Sequence, residues 1–524
     1  MYINYNVVNG IEYGTLASSV RSGSKVSKGD QIYLGRVIDK DKGIFKSRER
    51  GLFTYDLKTN TFGKVPPDYI EPRKERKTRC PKRPGLIVSF GDIYVLNRYI
   101  SNKGFYDAVD QIGYRNIDTL HALLAYYILS PHANRHAYDW WDLTYAKQLF
   151  PRAQMQSQRI SEALADIGSE EAKQDFFKEY FRFLAKDETS CTDKKTSEYF
   201  TDGILIDSTG LPNAIHFPLT VVNNHNGKIS EEVRLIYVVQ QQTGLPLFFR
   251  YVAGNIVDVT TIHRTVAELK ANGINTNMAI LDAGYYNGKN ADVLYEAGIP
   301  FISRMNSNYK VYKQVITNHL DTLESRNNLV RFNNRAIYVK CIPCRIGEKE
   351  DRPAYAYLCR DLTMRNELQK HLLERAVDQD MPDEEIYDAM REHGIFVLVS
   401  TKKISHKEIL QVYYTRDQVE KVFELCKQDG KILPVNVETV ATFRGHLMMT
   451  FMAAVILNMI SKDLSATTMT AESAFMNLHE QHAVLYEDVK QLITTEPTKH
   501  MNIAYDALGI TSPVTLPYQK EIVN

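Results

Sequence analysis

The spacing of apolar residues changes along the chain, and each change marks a different kind of structure. Between about 95 and 198, apolar residues recur at helical spacing, as in HALLAYYIL, SQRISEALADIG and FFKEYFRFLA. From 203 onward they form short runs separated by turn-rich segments: GILID, VRLIYVVQQ and LPLFFRYV. The first pattern predicts a helical region, and the second predicts three strands in a β-meander.

Strand-like and helix-like patterns alternate after the meander. A helical stretch from Asp258, its predicted N-cap, to about Ala271 precedes the strand MAILD, the helix ADVLYEAG and the strand PFISRM. Such alternation predicts parallel pairing. The strand GIFVLVST resumes this pattern at 394. The predicted fold is α/β: one domain formed by 201–305 and 394–465, with a mixed β/α insertion at 306–393 and a helical region at 466–524.

Residues 1–90 combine β-like runs such as QIYLGRVI with basic charge. The chain has a net charge of +1, yet its first 100 residues hold 19 Lys and Arg against 10 Asp and Glu. The densest run, RKERKTRCPKR at 73–83, includes Arg73, Lys74, Arg76 and Lys77. We predict a basic, β-rich unit that binds a polyanion, with a solvated linker as the alternative reading of this run.

Two features of the sequence indicate the cellular compartment of the protein. The opening MYINYNVVNG lacks the features of a secretory signal, and six cysteines in 524 residues make no disulfide framework, so an intracellular compartment is expected. The apolar run LMMTFMAAVILNMI at 447–460 is too short to span a bilayer and predicts a buried core helix. Arg444 and His446 precede it, and we interpret both as structural, with DNA contact as the alternative.

The segment YYTRDQVEKVFELCK, 413–427, predicts a helix with an unusual polar stripe. At 100° per residue, Tyr413, Arg416, Glu420 and Lys427 fall within one narrow arc. The stripe borders the buried face, because four apolar residues lie directly beside this arc: Val412, Val419, Phe423 and Cys426. A simpler interpretation is an Arg416–Glu420 ion pair on an ordinary amphipathic helix.

Two aspartates end strand-like runs: Asp207 in ILID and Asp282 in AILDAG. Ligands of α/β sheets commonly bind at such strand ends, although either residue alone could be a cap or turn residue. Together with Glu420 they could form a cluster of hard oxygen donors, which suits two Mg²⁺ or Mn²⁺ ions acting on a phosphodiester.

The spacing Y-x2-R-x3-E-x6-K, formed by Tyr413, Arg416, Glu420 and Lys427, resembles the YREK motif of bacterial DDE transposases in the insertion-sequence-4 superfamily. LIDST and LDAGYYN resemble the sites of that family's two catalytic aspartates, and FRGHLMMTFMAAVIL is similar to the helix that follows its site. The resemblance covers about 200–465.

The resemblance implies a ribonuclease-H-like catalytic domain in which Asp207, Asp282 and Glu420 bind the metal ions. It also implies that Tyr413, Arg416 and Lys427 hold transposon-end phosphates. The implied reaction is hydrolysis at the ends of the element, followed by attack of the freed 3′-hydroxyls on target DNA. The expected partners are double-stranded DNA and a second copy of the chain, in the cytoplasm of a bacterium and associated with the nucleoid.

The chain departs from the resembled family in one respect. Some members of that family form a DNA hairpin with the help of a tryptophan in the insertion. The two tryptophans here, Trp140 and Trp141, lie outside it. Tyr309, Tyr312 or Tyr338 could stack an extruded base instead.

Two other functions stay open on the sequence alone. A glycoside hydrolase could use Glu420 and one of the aspartates as acid and nucleophile. A domesticated or inactive derivative could bind DNA without cutting it.

Overall fold

The structure is a computed structural model that describes the chain except for 9–10, 23–24, 67–68, 70–83, 188–198, 214–218, 226–227, 257, 380, 429–432, 434–436, 438, 487–490 and 519–524. It divides into two compact units, Met1–Lys82 and Arg83–Asn524. Arg73, Lys74, Arg76 and Lys77 lie outside the described residues, so their predicted contact with DNA stays a prediction.

The first unit contains a six-stranded antiparallel sheet. Its strands pair in sequence order: β1 (Tyr2–Val8), β2 (Ile11–Ser22), β3 (Lys25–Asp39), β4 (Ile44–Ser47), β5 (Gly51–Asp56) and β6 (Thr61–Lys64). Its small core contains Leu16, Leu34, Phe45, Phe53 and Tyr55. Phe53 and Tyr55 share one face because alternate residues of a strand point the same way.

The second unit begins with a strand and a helical region. Its elements are β7 (Pro84–Ser89), α1 (Gly91–Lys103), α2 (Tyr106–Asp110), α3 (Ile117–Leu129), α4 (Ala137–Leu143), α5 (Ala146–Leu149), α6 (Ser157–Ile167) and α7 (Glu170–Asp187). Helices therefore occupy the described part of the segment predicted to be helical.

A large mixed sheet forms the centre of the second unit. The elements of its first part are β8 (Tyr199–Thr201), β9 (Ile204–Pro212), β10 (Val221–His225), β11 (Lys228–Gln240), β12 (Pro246–Ala253), α8 (Ile262–Ala271), β13 (Ile274–Thr276), β14 (Ala279–Leu281), α9 (Gly288–Glu296) and β15 (Phe301–Met305). Neighbouring strands run in the order β12-β11-β9-β14-β15, while β8 and β13 pair separately. β9, β11 and β12 are antiparallel, as the predicted meander requires. β14 is parallel to β9 and β15, which confirms the predicted parallel pairing.

The insertion continues this sheet. Its elements are α10 (Lys310–His319), β16 (Leu329–Phe332), β17 (Arg335–Ile346), β18 (Arg352–Asp361), α11 (Leu362–Gln379) and α12 (Asp383–Glu392), and the strand β19 (Ile395–Ser400) follows. β19 pairs with β15 on one side and with β18 on the other, antiparallel in both cases. The inserted strands therefore share the sheet of the surrounding domain.

The helix predicted at 413–427 is in fact two helices. α13 (Ile409–Tyr414) and α14 (Asp417–Gln428) are separated at Thr415 and Arg416. The Thr415 hydroxyl donates to the Val412 carbonyl (2.7 Å), and the Arg416 N–H bonds the Tyr413 carbonyl (3.2 Å) in a tighter turn than an α-helix has. The single-helix prediction was wrong because this competition of a threonine hydroxyl with the helical ladder leaves no mark on the apolar pattern.

The predicted core helix is α15 (Val440–Asp463), which is buried along most of its length. Among the described residues, one segment, Val440–Ala466, is long and apolar enough to cross a membrane, and 78% of its apolar window is buried inside the protein.

The prediction of a helical region at 466–524 was wrong, because this region contains strands as well as helices. It contains α16 (Ala471–His479), β20 (His482–Tyr486), β21 (Gln491–Thr494), α17 (Lys499–Ala507) and β22 (Thr515–Pro517). β7 pairs with β20, so 84–89 belongs to the second unit and not to the N-terminal one. Strands of three to five residues carry too little periodicity to be recognised when a partner lies about 400 residues away in the chain.

Candidate active site

Asp207 and Asp282 lie beside each other at one edge of the central sheet. In the parallel pair β9–β14, Ile206 is the partner of Leu281, and each aspartate is the next residue of its strand or loop. Neighbouring strands are about 4.8 Å apart. The structure thus brings together the two aspartates that the sequence predicted to share a strand-end site.

Arg416 connects this pair to Glu420. Its Nη1 atom lies 2.5 Å from Asp282 Oδ1, and its Nη2 atom lies 3.2 Å from Glu420 Oε1. Burial of the guanidinium lowers the pKa of Arg416, but the combined effect of Asp282 and other nearby acidic groups raises it above its usual value. The predicted Arg416–Glu420 ion pair is therefore present, and it reaches the sheet edge instead of standing alone on the helix surface.

Asp207 is the carboxylate with the most perturbed environment. Burial raises its pKa to about 7; the Ser208 N–H opposes this shift, and the negative charge of Asp282 adds to it. A carboxyl group buried beside another carboxylate retains its proton near neutral pH unless a positive charge compensates it.

Lys427 and Tyr413 occupy different surroundings. Lys427 Nζ donates to Thr209 Oγ1 at 2.6 Å, two residues beyond Asp207 on the same strand. Tyr413 is 4% exposed, and burial raises its pKa to about 12. Lys427 therefore lies near the carboxylates, whereas the ring of Tyr413 packs in the core with the Arg416 guanidinium 6.0 Å from its centre.

Asp258 is a fourth carboxylate near the site, and its predicted role as a helix N-cap is wrong. It begins the short turn Asp258–Thr260, while Thr261 is the residue that precedes α8. Its Oδ1 atom accepts hydrogen bonds from Ser208 Oγ at 2.5 Å and from Arg234 Nη1 at 2.8 Å. The N-cap prediction failed because the carboxylate bonds to other strands of the sheet and not to its own helix.

Asp258 also approaches the loop that follows Asp282. A Cβ atom placed on Gly284 would lie 3.5 Å from Asp258 Oδ2. Asp258 therefore packs between the strand that carries Asp207 and the loop that carries Asp282. No sequence signal marked this role, because strand pairing brings Ser208 and Arg234 together and the turn after β12 adds Asp258 only in the folded structure.

The donor set suits a hard divalent cation in chemical type. Carboxylate oxygens are the ligands that Mg²⁺ and Mn²⁺ prefer. Within the described ranges, however, no group of three or more His, Cys, Asp or Glu side chains is arranged to hold a metal ion. Two of the three predicted ligands are paired with the Arg416 guanidinium, which already supplies a positive charge between them.

The three tyrosines considered for base stacking differ in environment. Tyr312 is 9% exposed, and the Tyr309 hydroxyl donates to the Tyr286 carbonyl at 2.9 Å. Tyr338 lies on β17 and is partly buried. Tyr312 would have to leave the core to stack on a base.

Comparison with known proteins places the six candidate residues inside one matched region. No curated protein matches the chain. Among solved structures, a piggyBac transposase synaptic complex with hairpin DNA is 12% identical over 74% of this chain and 79% of that chain, with a TM-score of 0.38. Residues 198–456 match the family model described as "Transposase DDE domain". This region, which contains Asp207, Asp282, Tyr413, Arg416, Glu420 and Lys427, is therefore similar to a transposase DDE domain.

Proposed function

We propose that the protein is a metal-dependent DNA transposase of the YREK type, which cleaves the ends of its own insertion sequence and joins them to target DNA. The observation that carries the proposal is that Arg416 bridges Asp282 and Glu420 at the sheet edge where Asp207 lies on the neighbouring strand. DDE transposase domains use divalent metal ions, and all three carboxylates lie within the matched region.

The strand order supports a ribonuclease-H-like fold for the catalytic domain. β9, β11 and β12 are antiparallel, and β14 and β15 follow on the other side of β9, parallel to it and to each other. The first acid lies on the first of these strands, the second follows the fourth, and the third lies on a helix after the insertion. This is the order that the family resemblance implies.

In the proposed mechanism, Asp207, Asp282 and Glu420 would hold the divalent ions. Ions bound there would activate the attacking oxygen and offset charge on the phosphoryl group. Arg416 and Lys427 would bind phosphate oxygens of the transposon end and orient the strand.

Double-stranded DNA is the proposed partner, and two copies of the chain would bind a pair of ends. We further propose that the protein acts in the bacterial cytoplasm in association with the nucleoid. The mass of the complex with both ends tests the dimer: one chain holding two ends would contradict it.

The test of the function is excision from a plasmid that carries the native flanks of the gene, in the presence of Mg²⁺. We expect Glu420→Gln to abolish cutting while the protein still binds the ends. Glu424→Gln is the matched control, since it removes the same charge from the exposed surface of α14. Equal cutting by the wild type and Glu420→Gln would refute the proposal.

Chelation of divalent metal ions distinguishes the three candidate functions. A metal-dependent transposase loses all cutting in EDTA and regains it with Mg²⁺, whereas a two-carboxylate glycosidase keeps its activity. An inactive derivative would bind DNA under both conditions and cut it under neither.

A further inference from the structure

Two adjoining cavities lie beside β12, at the opposite side of β11 from β9. Their volumes are about 630 and 750 Å³, and both are lined by Glu170 and Lys173 of α7 and by Glu268 of α8. Since strands are spaced about 4.8 Å apart, β12 is roughly 10 Å from the strand that carries Asp207. The two cavities therefore form one groove that is separate from the candidate active site.

The groove is strongly basic. We define the basic groove by the cations that line it: Lys173, Lys178, Arg182, Arg250, Arg264, Lys270 and Arg444. Its lining contains two carboxylates, those of Glu170 and Glu268. The chain as a whole carries a net charge of only +1, so this excess is a local concentration of positive charge.

The two carboxylates are already shared among arginines. Glu268 is 3.1 Å from Arg250 Nε and 3.2 Å from Arg264 Nε, while Glu170 is 3.4 Å from Arg444 Nη1. Lys173, Lys178 and Lys270 make no ion pair with any carboxylate that the structure describes. Positive charge thus remains available after every internal pair is formed.

Lys173 shows the electrostatic consequence. Its ammonium group lies 5.0 Å from the ring centres of both Phe248 and Phe249. Burial lowers the pKa of Lys173; Glu170 and Glu268 raise it, and the positive charges of Arg250 and Arg444 lower it further. An anion in the groove would relieve this repulsion.

A protective role for the cations is the competing explanation. Among the described strands, β12 pairs with β11 alone, which leaves its other edge without a strand partner. Charged residues on an edge strand prevent pairing with other chains. Protection, however, needs charge on the edge strand itself. Here six of the seven cations come from α7, α8 and α15, and only Arg250 belongs to β12.

We propose that the basic groove binds the sugar–phosphate backbone of DNA, as a contact distinct from the one made at the carboxylates. The proposal rests on the proposed function, since it assumes that DNA is the substrate. From Lys173 to Arg182, α7 rises about 13 Å, which matches roughly four nucleotide steps of one strand. Flexible lysines and arginines facing phosphates bind without reading sequence.

The double variant Lys178→Gln/Lys270→Gln tests the groove, since both side chains are exposed and unpaired among the described residues. Binding to a fluorescent duplex of the native flank is measured by anisotropy in EDTA at several salt concentrations. Each lost phosphate contact should flatten the slope of log K against log salt by about 0.9, so we expect a change of about two. Lys313→Gln/Lys499→Gln is the control, because it removes two exposed lysines elsewhere.

The outcomes separate the groove from the proposed function. If the slope equals that of the control variant, the basic groove does not bind DNA, even if the wild type cuts its native flanks. A flattened slope supports the groove even if no cutting occurs. Inorganic phosphate could instead raise the melting temperature of the wild type but not of the variant, while both bind DNA equally. That result would show that the basic groove binds a free anion, and it would refute DNA binding there.

Discussion

At the scale of single residues, the ion pair between Asp258 and Arg234 stabilises the structure beside the candidate site. The Arg234 side chain is 10% exposed, and Asp258 is its nearest carboxylate, at 2.8 Å. We expect Asp258→Asn to lower the free energy of unfolding by about 1–3 kcal/mol, because it leaves a buried guanidinium with only its more distant carboxylate partner, Glu232 at 4.0 Å. Denaturation with urea measures this loss.

Asp292→Asn is the matched comparison for that experiment. Asp292 pairs with Arg352 at 3.3 Å, but the Arg352 side chain is 33% exposed. Solvent screening limits such pairs to about 1 kcal/mol or less, so this variant should remain closer to the wild type. Equal losses in both variants would contradict the supporting role of Asp258.

The sequence located the residues of the site whose positions follow from local pattern. Asp207 and Asp282 ended recognisable strands, and their pairing follows from the parallel register. The contact of Arg416 with Asp282 could not be predicted, because it depends on how a helix beyond the insertion packs on the sheet. Burial of Tyr413 was missed for the same reason.

At the scale of elements, a histidine joins two helices that are far apart in the sequence. His479, at the end of α16, lies 2.8 Å from the buried carboxylate of Asp92 in the first turn of α1. The hydrogen bond with Asp92 raises the pKa of His479, although burial opposes it. The stabilisation is therefore complete below the unfolded pKa of about 6.5 and is lost as pH rises through the higher folded value.

Stability measured against pH tests this link. We expect the difference in unfolding free energy between the wild type and His479→Gln to be larger at about pH 5.5 than at about pH 9. His263→Gln, an exposed histidine of α8, serves as the control and should show no such trend. A difference that stays constant with pH would exclude a charged His479–Asp92 pair.

Elements were predictable where their partners are near in the chain. Apolar runs and intervening turns predicted β9, β11 and β12, and each of these strands pairs with one close in sequence. β20, β21 and β22 were missed because they are short and are completed by β7 from the other end of the second unit. The break between α13 and α14 was missed because it rests on a single hydroxyl group.

At the scale of the whole molecule, the helical region and the region that matches the DDE domain proved to be parts of one compact unit. The apolar pattern predicted each separately but gave no sign of their contact. That contact involves two glycines: a Cβ atom on Gly168, after α6, would overlap the Ala441 carbonyl, and one on Gly445 would overlap the Leu164 carbonyl. α15 can approach α6 this closely only without side chains at these positions.

Gly445→Ala tests whether the two regions unfold together. In an isolated helix this change would add about 1 kcal/mol of stability, since alanine favours helix over glycine. Overlap with the Leu164 backbone should reverse the sign and cost about 1–3 kcal/mol, because backbone atoms cannot move aside as a flexible side chain can. Calorimetry should then show one transition for 83–524 shifted to lower temperature. A rise in melting temperature, or a shift confined to one of two transitions, would show that α6 and α15 are not packed as one body.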